Sequence, residues 1–246
     1  MTGHIHRAGG GVIAICLALA ACGTAAGQQA TPPPARPVAP GDVDLQASRV
    51  FVFVGKTGLG HDHAVVGRLQ AGQVRLGAAE QAGMLIFDMR SFDADTAEAR
   101  AAIGLPGQTD PVTRKQVNDN MLGADVLDVA RHPTATFAIR SALPSTKVAA
   151  DRRPVYSLAG AFTLHGVTRE VVVPVEVDQR GNVLRLRGGF AVKQTDFGMK
   201  PYKKLGGVVG VADELQISGD ILVAAMPAGA PAAAGPMPLP PTGPRP

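Results

Sequence analysis

The sequence predicts an all-β fold, an extended antiparallel barrel of about eight strands with a short helical insertion near residues 94–123. Apolar and polar residues alternate with a period of two along most of the chain. Glycine stands at the tight joints between the alternating segments, where antiparallel hairpins need it. Both cysteines lie near the N-terminus, so the rest of the chain has to be held by its core alone, and a closed barrel provides such a core.

The two ends of the chain are predicted to lie outside the barrel. Residues 1–21 have the pattern of a bacterial lipoprotein signal peptide, because a short apolar run leads into small residues before Cys22. Cys22 would then carry the lipid anchor; the alternative is an ordinary signal peptide that is cleaved nearby. Residues 22–41 and 226–246 are rich in proline, alanine and glycine, which predicts a tether and a disordered tail. The barrel domain is therefore placed at residues 42–225.

Composition and motifs exclude several classes of function. The net charge is only +4 and the basic residues are scattered, which argues against a nucleic-acid partner. The sequence contains neither a Gly-x-Ser-x-Gly elbow nor a His-Glu-x-x-His helix, so we expect a protein that is not an enzyme. The sorting of bacterial lipoproteins depends on the residue after the lipidated cysteine. Here this residue is Gly23 and not an aspartate, so we expect the chain to lie at the periplasmic face of the outer membrane.

The strands follow one another along residues 42–225. Residues 48–55 are apolar on both faces, as in a strand that is covered on both sides. The stretch GLGHDHAVVG at residues 58–67 is expected to form the connection to the second strand or its start. The remaining alternating segments are residues 83–91, 135–141, 156–164, 171–177, 184–192 and 215–223. Gly160, Gly188 and Gly219 lie on apolar faces and are expected to mark sharp bends or close packing.

Residues 94–123 break the period of two and predict helices. Asp95 is a candidate N-cap and Gly104 a candidate stop for a first helix. Asp110 before Pro111 predicts the start of a second helix, which Gly123 would end. The insertion is expected to lie over one barrel mouth or to cover the outer face of a strand.

Residues 132–141, 156–177 and 188–221 closely resemble the YceI-like family, through the turn Leu-His-Gly-Val-Thr at residues 164–168 and the Asp-Phe-Gly corner at residues 196–198, in this order. The resemblance extends over about residues 43–223. It implies a lipocalin-like barrel, secreted in bacteria, whose apolar interior holds a polyisoprenoid or a similar long lipid chain. The chain departs from the family at Gln194, where many members have arginine.

A lipid-binding barrel needs an apolar interior and requires no cofactor. A hydrocarbon tail gains roughly 0.8 kcal/mol for each CH₂ group moved from water into an apolar cavity. The bound polyisoprenoid or fatty chain would itself be the partner, and the oligomeric state stays open, with a homodimer as one alternative. The inward-facing residues either contact this ligand or fill a solid core. They are Phe137, Ile139, Leu158, Phe162, Leu164, Val171, Val173, Val175, Leu186, Phe190, Leu215 and Ile217.

Polar candidates for the rim of the barrel include a histidine pair. His61 and His63 are two residues apart, so both rings project from one face of an extended segment and can chelate one cation. The alternatives are an enzymatic site built on this pair at the barrel rim and a simple hydrogen-bonded turn. A metal site would need a third ligand, for which the sequence offers His132, His165, Asp62 and Asp93. Asp196 and Asp62 are candidates for orienting histidines or for capping turns.

Overall fold

The structure is a computed structural model that describes residues 39–225. The predicted signal peptide, the lipidation site at Cys22, the tether up to residue 38 and the tail at residues 226–246 lie outside the described residues. Within residues 39–225, no helix is long and apolar enough to cross a membrane.

Eight long antiparallel strands pair in a ring, and a ninth, very short strand adds to one of them. The bounds are β1 Arg49–Gly58, β2 His63–Val74, β3 Gly83–Ala94, β4 Thr134–Val148, β5 Pro154–Leu164, β6 Val167–Arg180, β7 Val183–Lys193, β8 Lys203–Lys204 and β9 Val209–Ala224. Neighbours pair in chain order from β1 to β7, β7 pairs with β9, and β9 pairs with β1, which closes the ring. The two-residue β8 pairs with the start of β9. The predicted antiparallel barrel of about eight strands is confirmed.

The alternating residues of β1 explain why both faces of this strand are apolar. Val50 and Val52 point inward and are buried in the main core. Phe51 points outward and packs against a second, smaller cluster formed by Ala64, Val66 and Ala99. Ala99 belongs to helix α1, Ala97–Ile103, so this helix covers the outer face of β1 and β2.

Helix α1 does not begin at the predicted cap. Its N-cap is Thr96, whose hydroxyl accepts a hydrogen bond from the Ala99 amide at 2.9 Å. The expectation that Asp95 caps α1 is wrong, because the Asp95 carboxylate is buried and is bound to β2 instead. The predicted stop at Gly104 is confirmed, with a φ of 80°.

Helix α2, Pro111–Leu122, has the predicted ends. The Asp110 carboxylate accepts hydrogen bonds from the amides of Val112 and Thr113, and Gly123 caps the C-terminus. This helix packs against the end of β3 and lines one end of the barrel interior. The insertion therefore does both things that the sequence allowed: α1 covers the outside of the sheet and α2 lies at a barrel mouth.

Two of the three glycines on apolar faces lie where the backbones approach closely. A Cβ atom at Gly160 would lie 2.0 Å from the carbonyl oxygen of Ala138, and one at Gly188 would lie 2.1 Å from that of Pro174. At Gly219 the nearest atom would be 3.5 Å away, which is an ordinary contact. The expectation of close packing therefore holds at Gly160 and Gly188, and Gly219 does not require it.

The N-terminal segment completes the ring where β1 has not yet begun. The Val43 amide donates a hydrogen bond to the Gly72 carbonyl in β2, and the Asp44 amide donates one to the Leu222 carbonyl in β9. The Val43 side chain is buried in the core. The barrel end formed by the last residues of β2 and β9 is thus bridged by this segment.

Candidate functional site

The barrel encloses an apolar cavity of about 370 Å³. This volume lies within the range of roughly 300–1,000 Å³ that is typical of small-molecule sites. Its lining runs from His61 and His63 at the start of β2 to Val74 at the end of that strand and Leu85 in β3. Twelve strand residues at roughly 3.3 Å each make β2 about 40 Å long, so the cavity follows most of the barrel's length.

The structure places most of the predicted interior residues on the cavity wall. Ile139 and Val171 are not on the wall: Ile139 is 2% exposed and belongs to the core cluster, and Val171 packs against that cluster. The residues that do line the cavity are Phe137, Leu158, Phe162, Leu164, Val173, Val175, Leu186, Phe190, Leu215 and Ile217. Their contact with a ligand stays a prediction.

The wall contains residues that were not identified from the sequence, such as Val50 of β1 and Val65 of β2, and two further groups in β3 and α2. Phe87 and Met89 come from β3, where the alternation in GMLIFDMRS is a signal that could have identified them. The second group is one side of α2, with Val117 and Met121 as its apolar members. No local pattern reveals this contribution, because the helix is placed by contacts with β3 that are distant in sequence.

Polar side chains gather at the end of the cavity where β2 begins. His61 and His63 both line the cavity, and their rings lie 4.4 Å apart between centroids. The His63 Nδ1 atom lies 2.7 Å from Oδ2 of Asp95, and the His61 Nε2 atom lies 3.7 Å from the same oxygen. The third member of the histidine cluster is therefore Asp95, just beyond the end of β3.

The carboxylate of Asp95 is fully occupied by hydrogen bonds. Besides the contact with His63, it accepts from the Ala64 amide at 3.2 Å, from Arg100 at 3.0 Å and from the Thr109 hydroxyl at 3.1 Å. Burial by itself would raise the pKa of Asp95, but the hydrogen bond and charge of His63, with the donors from Ala64 and Thr109, lower it to about 2. Asp95 is consequently ionised at neutral pH.

An ionised Asp95 determines which nitrogen of His63 carries a proton. A carboxylate can only accept hydrogen bonds, so Nδ1 of His63 must be the donor. Nε2 of His63 is then the ring nitrogen available to a ligand, a proton or a metal. The cavity end can thus accept a hydrogen bond from a ligand hydroxyl through neutral His63, or donate one when His63 is protonated.

The predicted alternatives for a third metal ligand do not join this cluster. Asp62 accepts a hydrogen bond from the Lys56 amide at 2.8 Å and so closes the turn between β1 and β2. Asp93 instead binds Arg114 and Asn118 of α2. Metal binding at His61 and His63 stays a prediction, and Asp95 would support it by orienting His63.

His132 and His165 form a separate cluster with Asp128. The two histidines were candidates from the sequence, whereas Asp128 was not. The ligating atoms of the three residues lie within 4.8 Å of one another, and the two rings are 4.6 Å apart. His165 lies at the turn between β5 and β6, and its Nδ1 atom contacts the Phe197 carbonyl oxygen at 3.1 Å. The antiparallel register places this turn at the same barrel end as the start of β2.

Gln194 and Asp196 lie in the short 3₁₀ turn Gln194–Phe197. Gln194 lines the cavity, is 3% exposed and donates from Nε2 to the Ala212 carbonyl at 2.7 Å. Asp196 is exposed, and its backbone carbonyl accepts a hydrogen bond from Arg169 at 3.0 Å. The buried side chain at this position is therefore neutral and is bound to the protein's own backbone.

These features define the class of this protein as a hollow antiparallel β-barrel with a polar group of residues at one end of an apolar cavity. Residues 42–223 match the YceI-like domain. The chain therefore belongs to the YceI-like family, as the resemblance predicted.

The chain is also similar to one known relative and to two solved structures. A UPF0312 protein of Azotobacter vinelandii is 31% identical over 117 residues, which cover 45% of this chain and 58% of that protein. The crystal structure of Burkholderia cenocepacia BcnA is 25% identical, covers 74% of this chain and 99% of that chain, and has a TM-score of 0.52. A polyisoprenoid binding domain from Saccharophagus degradans is 13% identical, with a TM-score of 0.49, over 75% of this chain and 98% of that one.

Proposed function

We propose that the protein binds a long apolar chain, a polyisoprenoid or a similar lipid, inside its barrel and carries out no chemistry on it. The observation that carries this proposal is the cavity of about 370 Å³, whose wall is built mainly from apolar strand residues. Moving each CH₂ group of a ligand into such a cavity contributes roughly 0.8 kcal/mol. A tail that fills it would bind tightly without any catalytic group.

The test is a series of unbranched primary alcohols of increasing length, with affinity measured by calorimetry. Each added CH₂ group is expected to tighten binding roughly fourfold until the chain reaches the far end of the cavity. Affinity that does not depend on chain length would contradict a buried tail.

A variant that fills the cavity makes the test specific. Leu215 lines the cavity and is only partly buried, so Leu215→Trp projects a larger side chain into the open space. Affinity for the longest alcohols should fall, because the indole occupies their volume. The matched control is Leu143→Trp on β4, where the leucine is 43% exposed and is not on the wall. Equal affinity in the two variants would place the ligand elsewhere.

Metal binding at His61 and His63 is the second candidate function. It is favoured by the 4.4 Å ring separation and by the hydrogen bond to Asp95 that leaves Nε2 of His63 available. Metal analysis of the protein and of the His61→Ala/His63→Ala variant tests it. The proposal requires that the variant retain less metal, and equal content in both would reject it.

The cellular location is also proposed from the sequence. Cys22 would attach the chain by a lipid to the periplasmic face of the outer membrane, with residues 23–41 as the tether. Metabolic labelling with a fatty-acid probe is expected to mark the chain and to fail for Cys22→Ala. Labelling that persists in this variant would reject the anchor.

A further inference from the structure

Three large apolar side chains extend into solvent from neighbouring turns of the barrel. Leu59 in the β1–β2 turn is 70% exposed; in the turn between β8 and β9, Leu205 is 71% and Val208 is 50% exposed. The Leu59 amide donates to the Val208 carbonyl at 2.9 Å, so the two turns lie side by side. We call Leu59, Leu205 and Val208 the apolar tips.

The backbone at Leu205 shows that the fold itself does not require leucine there. Its φ is 52°, in the left-handed region that favours glycine or asparagine over leucine. Its side chain is mostly exposed and so contributes little to the core. Neither local conformation nor packing accounts for an apolar side chain here, which indicates a contact with something outside the barrel.

The apolar tips stand at the entrance to the cavity. Gly60, which follows Leu59, lines the cavity, and so do Lys204 and Val209 on either side of the second turn. The tips themselves are not part of the wall. Whatever covers them is therefore placed directly against the polar end of the cavity.

The surroundings of the tips are basic. Lys56, Lys203 and Lys204 are exposed, and none of them forms an ion pair with another residue of the described range 39–225. The acidic residue in the first turn, Asp62, accepts a hydrogen bond from the Lys56 amide. Exposed lysines beside apolar side chains match a surface that is anionic outside and apolar inside, as a phospholipid leaflet is.

We propose that the apolar tips dock the cavity end of the barrel on an anionic phospholipid bilayer, so that a lipid tail enters the cavity directly from the leaflet. This inference rests on the proposed lipid-binding function and names the surface from which that site is loaded. A tail that passes through water exposes all its apolar area before the cavity covers it again. Contact between the leaflet and the entrance removes that exposure and makes loading faster.

The experiment measures loading of a fluorescent alkyl chain from vesicles of phosphatidylcholine and phosphatidylglycerol. It uses the full chain with Cys22→Ser in every arm, so that no lipid anchor forms. In Leu59→Asn/Leu205→Asn, loading should be roughly tenfold slower, because the docking area is lost. Affinity for a short alcohol delivered through water should not change, since neither leucine lines the cavity.

Two further variants distinguish the effect of the apolar contact on loading from the effect of charge and from the effect of any surface substitution. Lys56→Gln/Lys203→Gln should slow loading only from vesicles that contain phosphatidylglycerol. Val172→Asn is the matched control, because Val172 is 62% exposed on the outer side of β6 and should load at the parent rate.

The possible results distinguish a failure of membrane docking from a failure of the proposed lipid-binding function. Unchanged loading in the double leucine variant, or equal slowing in Val172→Asn, would overturn docking through the tips and leave the proposed function intact. Failure of every arm, including the parent, to bind any alkyl chain would overturn the proposed function and this inference with it.

Discussion

At the scale of single residues, Asp95 determines the chemistry of the cavity end. It connects β3 to α1, and its side chain is 0% exposed. Its bonds to His63, Ala64, Arg100 and Thr109 use all the acceptor positions of a carboxylate. Replacing this group therefore affects both the local fold and the proton position on His63.

The first prediction concerns Asp95→Asn and pH. The pKa of Asp95 is about 2 in the folded protein against an ordinary value of 3.8, so its ionised form stabilises the fold by about 2 kcal/mol above pH 4. This contribution is lost as pH falls from 4 towards 2. The unfolding free energy of Asp95→Asn should therefore lie below that of the parent at neutral pH, and the gap should narrow towards pH 2.

Urea unfolding across this pH range measures that gap. Asp110, Asp128, Asp151 and Asp213 also have lowered pKa values, so only the difference between the two proteins belongs to Asp95. The control is Asp196→Asn, because Asp196 is exposed. A constant gap at all pH values would show that the Asp95 charge contributes nothing.

At the scale of elements, α2 is held over the cavity end by a small set of polar contacts. None of its residues is fully buried. Asn118 accepts a hydrogen bond from the Ala94 amide at 2.8 Å and donates to Asp93 at 2.9 Å. Arg114 donates to the Ala94 carbonyl at 2.9 Å. These bonds to the end of β3 are the main polar attachment of the helix that lines the mouth.

The second prediction is that Asn118→Ala loosens α2 and leaves the barrel intact. Loss of its two hydrogen bonds to β3 should favour local opening by about 2 kcal/mol, so that helix amides exchange roughly 30-fold faster. Alanine raises helix propensity, so faster exchange can only come from the lost attachment. Hydrogen exchange by mass spectrometry measures this for residues 111–122.

The control for this prediction is Lys115→Ala. Lys115 forms an exposed ion pair with Asp119 on the same helix, at 2.6 Å, and such pairs contribute at most about 1 kcal/mol. Equal exchange in Asn118→Ala and Lys115→Ala would refute the attachment.

The third prediction compares two glycines that face each other across β7 and β9. Gly188 and Gly219 are paired residues, but only Gly188 has a backbone oxygen 2.1 Å from an added Cβ. Gly188→Ala should lower the unfolding free energy by about 2 kcal/mol, because this oxygen belongs to Pro174 and β6 and β7 must therefore move apart. Gly219→Ala should stay within about 0.5 kcal/mol of the parent. Thermal unfolding of both variants decides this, and equal losses would contradict the geometry.

At the scale of the whole molecule, the sequence predicts the barrel but not its interior space. Alternation along residues such as Val173 and Val175 fixes which side faces inward, and a period of two is visible in any single strand. Whether inward residues meet across the centre depends on the diameter, which is set by the closure of β1 on β9. That pairing joins Val52 to Ile217, far apart in the chain, so no local pattern reports it.

The polar end was predicted only in part for the same reason. His61 and His63 are two residues apart in the sequence, and this spacing indicates a shared face of an extended segment. Asp95 reaches them through the pairing of β2 with β3, and Asp128 reaches His165 through the arrangement of β4 and β5. The local pattern placed Asp95 as a helix cap, because a carboxylate before a helix usually caps it.

The proposed function requires that the barrel hold a long apolar chain in its cavity. The most direct measurement is native mass spectrometry of the protein isolated gently from its host, followed by extraction and identification of any lipid. We expect a bound species with one long hydrocarbon tail, which Leu215→Trp loses and Leu143→Trp retains. A barrel that is empty when isolated, and that takes up no prenyl or alkyl chain when these are supplied, would contradict it.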